Sequence, residues 1–419
     1  MNQNTTAVRP LPRSLDPLDD ETLVGFLLRL AHHNGTDPAQ IATRMGLTET
    51  QGAAAGIASP WLLADMDKPR LVRAARAAHL TVAEADKLLL SPMGLRYGLV
   101  SRRYSPWTDP GQLGRPSRWV YLRTSQYCPP CLAGDDSPIQ RLYGGAWKRI
   151  WRFPVVFACS QHQQLLQRTC PVCRAPAQSA QTGIIARPAT PDLHPAQCRS
   201  APTAASGSRR GSVCGADLPR EHSPRKKEDA TSLKVLLALQ QRLDVLLSAD
   251  GPSTVKSCGR LVPVAQYFID LRIVASLILA SWPEARSYAP TPVLAEAIGR
   301  EAERRRRAVL RRKPTAGKKT PAPAPRTSLL APLESPSTAG AVLAIAEQLL
   351  DARENRWTRI ALEPIYLKAM EIGRHAVGDL ARHPGRSAAL QTALSIGGGP
   401  VDLRSEEEEI CIRLGPRNG

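Results

Sequence analysis

Soft metal ligands separated by two-residue gaps recur in the middle of this 419-residue chain. Cys128-Pro-Pro-Cys131 is followed, after 27 intervening residues, by Cys159-Ser-Gln-His162. Seven residues further on comes Cys170-Pro-Val-Cys173, and Cys198 and Cys214 trail behind in a looser arrangement. A two-residue gap lets a tight turn aim both side chains at one ion, and thiolate with imidazole suits tetrahedral Zn²⁺. The spacing therefore predicts a first centre of Cys128, Cys131, Cys159 and His162. A second would use Cys170, Cys173, Cys198 and Cys214, with His194 and His222 as alternative ligands because fifteen residues part Cys198 from Cys214. Four protein ligands leave no open position for an activated water, so both expected zinc ions are structural. Disulfides or free core cysteines are the competing reading, and nothing else in the sequence points to an oxidising compartment. Cys258 and Cys411 lack partners at ligand spacing and read as lone thiols.

The elements that must carry these ligands are mainly helical. Asp19 and Asp20 are candidate caps for a helix with Leu23, Phe26, Leu27 and Leu30 on one face, stopped at Asn34-Gly35. Asp37-Pro38 starts a short helix through Ile41 and Met45, ending at Gly46. A third helix begins near Lys68-Pro69 and carries Leu71, Val72, Ala75 and Ala78. Thr81 and Glu84 then form a capping box for a fourth helix, ending at Leu90. This last pair fits either a helix-turn-helix or an ordinary helical hairpin, and its second helix sets one cation, Lys87, against Glu84 and Asp86.

Downstream of the cysteines, helices are predicted over 231–248, 262–281 and 292–312, with a final helical segment over roughly 338–396. The expected division is an N-terminal helical domain (1–95), a metal-binding region (96–225), a helical domain (226–312), a basic Pro/Ala linker (313–337) and a C-terminal helical segment with an acidic tail (338–419). The fold class is thus mainly α with small, loop-rich zinc modules.

A formal net charge of +19 favours a polyanionic partner, most simply nucleic acid. From Arg96 to Arg152 ten Arg/Lys stand against three acids, together with Trp107, Trp119, Trp147 and Trp151. Basic and aromatic residues so interleaved suit phosphate contact with base stacking; the alternative is that the tryptophans pack a small metal core. Trp147 and Trp151, at i,i+4 spacing, fit packing better. Candidate nucleic-acid contacts are Arg102, Arg103, Arg118, Arg123, Lys148, Arg149 and Arg152, with Arg304, Arg305, Arg306 and Arg307 from a later basic run. The N-terminus has no apolar signal region, and the apolar stretch Ile273–Trp282 is too short and too close to charge for a membrane span. A cytoplasmic protein is expected.

Common enzyme signatures are missing: the sequence has no GxxxxGK[ST] loop, no HExxH, no GxSxG and no His-x-Glu ahead of a PCxxC. Scattered acids of a two-metal nuclease remain an open alternative.

With these residues in view, the chain resembles the TniQ family of transposition proteins. The resemblance rests on "RPLPRSLDPLDDETLVGFLLRLAHHNG", on "YCPPCLAGD", on "YGGAWKRIWRFPVVFACSQHQQLLQRTCPVCRAP" and on "CGADL" at Cys214. It spans roughly residues 9–220. The departure is at the last pair: the family commonly has a compact CxxCG, whereas here "RSAPTAASGSRRGSV" parts Cys198 from Cys214. The resemblance implies a non-catalytic accessory factor that helps select or mark target DNA. Its implied partners are DNA, an AAA+ ATPase and a DDE-type transposase of the same element, with homodimers known among related members. The other reading is a zinc-containing DNA-binding regulator with no role in transposition.

Overall fold

The computed structural model describes residues 10–48, 58–101, 103–104, 119–122, 124–178, 193–200, 213–221, 229–311 and 330–395. Its contacts gather the chain into two compact units, one formed by Met1–Gly94 with Trp107–Lys227, the other by Leu95–Pro106 with Glu228–Gly419. The sequence reading drew five segments with a first boundary at 95/96. The structure instead groups the N-terminal helices with the cysteine region.

At the centre of the first unit is α1 (Leu23–His33), buried continuously from Leu23 to Ala31. Its cap is Thr22, whose Oγ1 accepts from Gly25 N at 3.0 Å, and not Asp19 or Asp20. Asp20 adopts φ +53° and turns its carboxylate to Arg149, 3.1 Å away. Asn34 ends the helix and Gly35 turns the chain at φ +56°, as predicted. The helix α2 (Pro38–Arg44) follows, capped by Asp37 and closed by Gly46 at φ +70°. Next are α3 (Lys68–Ala77), capped by Asp67, and α4 (Val82–Lys87), with both halves of the Thr81/Glu84 capping box made. Val72 of α3 is exposed. The helix α4 stops short of Leu90; Leu88, Leu89 and Leu90 form a buried turn, with Leu90 N donating to Leu63 O at 3.0 Å.

The cysteine region adds α5 (Pro129–Ala133), α6 (Pro138–Tyr143) and a two-residue ribbon, β1 (Ala158–Cys159) paired antiparallel with β2 (Gln164–Leu165). Trp147 and Trp151 do not share a helix: residues 149–152 form a single 3₁₀ turn. Both indoles are nonetheless buried and meet edge-to-face at 6.4 Å, so the packing reading of these tryptophans stands.

The second unit is built on α8 (Val264–Ser281), flanked by α7 (Ala230–Leu247), α9 (Pro292–Arg311), α10 (Pro336–Leu350), α11 (Asn355–Ala381) and α12 (Ala388–Leu394). The helix α8 is long and apolar enough to cross a membrane, yet 89 % of it is buried inside its unit. Leading into it is a hairpin that sequence reading missed, β3 (Thr254–Ser257) with β4 (Arg260–Pro263). Its turn, Cys258-Gly259, takes positive φ at both residues (+50° and +76°), the geometry that matches strand twist. The segment Leu95–Pro106 belongs here through Arg96, which donates to the carbonyls of Ala249, Gly251 and Pro252. Gly98 presses on Ala265 O so closely that a Cβ would lie 2.2 Å from it.

Candidate metal centres

The first ligand set is assembled by two tight turns. Cys128 stands at the N-terminus of α5 and Cys131 lies within that helix, which Pro129 and Pro130 start. Cys159 ends β1, and His162 sits in the turn to β2, where Gln163 takes φ +47°. The turns are held together because Tyr127 and Gln167 exchange backbone hydrogen bonds at 2.7 Å each. Gly145 makes room behind the helix: a Cβ there would meet Cys131 O at 2.0 Å.

Distances among the donors decide whether a cation fits. A tetrahedral ion with sulfur at about 2.3 Å and nitrogen at about 2.0 Å requires ligand–ligand edges of about 3.8 Å (S–S) and about 3.5 Å (S–N). Cys131 Sγ and Cys159 Sγ are 3.6 Å apart, while His162 Nδ1 lies 3.5, 3.2 and 3.5 Å from the sulfurs of Cys128, Cys131 and Cys159. The four donors therefore outline a coordination tetrahedron. Outer hydrogen bonds support it, with Gln164 Nε2 donating to Cys128 Sγ at 3.0 Å and His162 N to Cys159 Sγ at 3.4 Å.

Without a cation the cluster is electrostatically frustrated. Cys159 is drawn far below the usual thiol range by hydrogen bonds from Cys128 and Cys131, while Cys131 is driven far above it by its sulfur neighbours. Thiols this close cannot all ionise unless positive charge sits among them.

The second set repeats the geometry with four sulfurs. Cys170, Cys173, Cys198 and Cys214 converge, with Cys170–Cys214 at 3.8 Å and Cys173–Cys198 at 3.7 Å. Burial favours the thiol form of Cys170, but hydrogen bonds from the backbone N–H groups of Cys173 and Val172 and from the Cys198 and Cys173 side chains together outweigh it and lower its pKa. Burial pushes Cys173 up to about 11. Cys198 and Cys214 sit on paired backbone: Cys214 N donates to Ser200 O at 2.9 Å, Gly215 N to Cys198 O at 3.0 Å, and Cys198 N to Ala216 O at 2.9 Å. Ser200 and Cys214 are paired on one rung, so the long spacing in sequence does not separate the ligands. His194 is not among them. Its Nε2 faces Leu142 O and its Nδ1 accepts from Ala196 N, both at 3.2 Å. His222 and Cys411 lie outside the described residues, and Cys258 is fully buried in the hairpin turn of the second unit.

The predicted nucleic-acid contacts are largely redistributed. Arg102, Arg118, Arg123 and Trp107 fall outside the described residues. Arg152 is corrected: it is buried, with NH2 donating to Gln178 Oε1 at 2.8 Å and NH1 to Leu122 O at 3.4 Å, so it offers nothing to phosphate. Arg149 is held by Asp20 and by Leu89 O. Arg305 is corrected likewise, since it is buried and bonds Glu301, Ala331 O and Pro332 O. Arg304 and Arg307 pair with Glu301 and Glu303 at 2.7 Å, and Arg306 bonds Trp282 O. Lys148 is half-exposed, and Arg103 is exposed and lies over the Tyr104 ring. Trp119, Trp147 and Trp151 are buried and present no stacking face.

One buried pair escaped sequence reading. Arg29, inside α1, donates to Glu21 through Nε (2.8 Å) and NH2 (2.5 Å), and to Asp16 O at 2.9 Å. Burial raises the Glu21 carboxyl above its usual range, against the pull of Arg29. A Glu and an Arg eight residues apart leave no spacing signal, because the chain turns between them.

Compared with known proteins, residues 12–166 match the TniQ family model. The match takes in the whole first ligand set and ends before the second. A TniQ domain marks a protein associated with DNA transposition in an accessory role. No curated protein and no solved structure matches the chain.

Proposed function

We propose that this chain is a non-catalytic, DNA-binding adaptor of transposition, stabilised by two structural zinc ions. The carrying observation is that the family match over 12–166 encloses a complete, closed four-ligand set, Cys128, Cys131, Cys159 and His162. Zinc is favoured by the donors: three thiolates with one imidazole, and four thiolates, each at tetrahedral spacing. In such a centre the ion is a fold-holder, tying α5 to the β1–β2 ribbon, with no coordination position left for substrate. The second set would tie the Cys170–Cys173 turn to the 198–200 and 214–217 segments.

The partners in this reading are target DNA, an AAA+ ATPase and a DDE-type transposase, with self-association as a further property. The net charge of +19 supports the DNA partner. The experiment compares insertion by the transposase and ATPase with and without this chain. The expected result is a change in where or how often insertion occurs, while the purified chain alone neither nicks plasmid in Mg²⁺ or Mn²⁺ nor hydrolyses ATP. Unaltered insertion would overturn the adaptor role. Strand cleavage that co-purifies with the chain and vanishes on replacing one acidic residue would replace it with a nuclease.

A further inference from the structure

We infer that the outward face of α3, with the end of α2, is a surface for the phosphate backbone of duplex DNA; this rests on the DNA-binding reading above and gives it a location. The sequence KPRLVRAARA turns Leu71, Ala74, Ala75 and Ala77 inward. At about 100° per residue, Lys68, Val72, Arg76, Pro69 and Arg73 then fall on one arc of roughly 140°. All five are exposed, and this helix contains no acid. Arg44, exposed in the last turn of α2, joins them across Gly46. The Arg73 Nε lies beside Gly46, 3.5 Å from where a Cβ would stand.

Several of the chain's other arginines are already engaged. Arg29, Arg149, Arg304, Arg305 and Arg307 each face a carboxylate, and Arg152 faces oxygen acceptors. Lys68, Arg73, Arg76 and Arg44 have no ion-pair partner among the described residues. Their support is firm: Asp67 caps α3 with a 2.8 Å bond to Arg70 N, and the Thr81/Glu84 box fixes the next helix. Guanidinium groups on a fixed helix suit phosphate oxygens bidentately, and an arc with no base-reading amide suits contact without sequence preference. The outer residues of α4 do not compete, because Glu84 and Asp86 oppose Lys87 there. The first helix of the pair, not the second, meets the nucleic acid.

The test is salt-dependent binding of the full chain to duplex DNA of unrelated sequences. Arg73→Gln/Arg76→Gln should weaken binding to all of them about equally, by roughly 10- to 100-fold, and lower the slope of log K against log salt by about 2. A second pair, Arg44→Gln/Lys68→Gln, should act in the same direction, and Arg304→Gln/Arg307→Gln should leave the slope near that of the unmodified chain. Zinc content and melting temperature report whether each variant is folded. If both surface pairs keep the original slope and affinity while the unmodified chain binds DNA, this location is wrong and the DNA-binding reading survives. If the unmodified chain fails to bind at about 50 mM salt, both fall.

Discussion

Cys131 illustrates what a single side chain does in this protein. Its sulfur lies 3.2 Å from His162 Nδ1 and 3.6 Å from Cys159 Sγ, a spacing that repels when empty of charge and binds when a cation is present. Cys131→Ser is expected to remove one zinc of two and to unfold the α5–ribbon junction, read by elemental analysis and by proteolysis of residues 124–178. Cys258→Ala should keep both ions, since this thiol is far from ligand geometry, and cost about 1 kcal/mol for the buried sulfur it deletes. Asp270 gives the pH dependence. Burial pushes it up to about 7 from 3.8, against hydrogen bonds from Ser387 N (2.9 Å), Ser387 Oγ (2.5 Å) and Ser257 Oγ. The folded state thus holds a proton that the unfolded chain releases first, so this site's contribution to stability is fully present below about pH 4 and is lost as pH rises to about 7. The loss at this site is of order 4 kcal/mol. Asp270→Asn should flatten that part of a denaturation-against-pH curve, and a slope unchanged from the parent would contradict it.

Elements were legible where their signal is local. The Asn34-Gly35 stop, the Asp37-Pro38 start and the Thr81/Glu84 box need only a few neighbouring residues, and each appears where the sequence placed it. The same holds for Cys128–Cys131 and Cys170–Cys173, because a two-residue gap in a turn is a complete geometric statement. What was missed depends on distant partners. The Asp20 side chain is claimed by Arg149, which left the cap to Thr22. Trp147 and Trp151 have helical spacing, yet Thr22 N takes Trp147 O and Arg149 N takes Asp20 O, backbone bonds that straighten the chain before a 3₁₀ turn. The β3–β4 hairpin was hidden because its turn is Cys258-Gly259 in place of the usual Asn-Gly. Arg152 and Arg305 looked like surface charge because nothing in their neighbours reveals an acceptor tens of residues away. The capping box is directly testable: Thr81→Ala should cost about 1 kcal/mol in chemical denaturation and leave zinc content unchanged.

On the scale of the whole molecule, the two units divide the chemistry. The unit of Met1–Gly94 and Trp107–Lys227 holds both ligand sets and the α3 surface, while the other is a helical body around α8. In the proposed reading, metal at the first unit's two ligand sets ties together its loop-rich backbone, since binding energy there is folding energy. The most direct test of the account is the zinc content of the purified full chain, counted per molecule. Two tightly held zinc ions per chain are expected, both lost only under chelating conditions that also unfold the cysteine region. Fewer than about one zinc per chain, with that region still folded, would contradict the reading of both centres as structural metal sites.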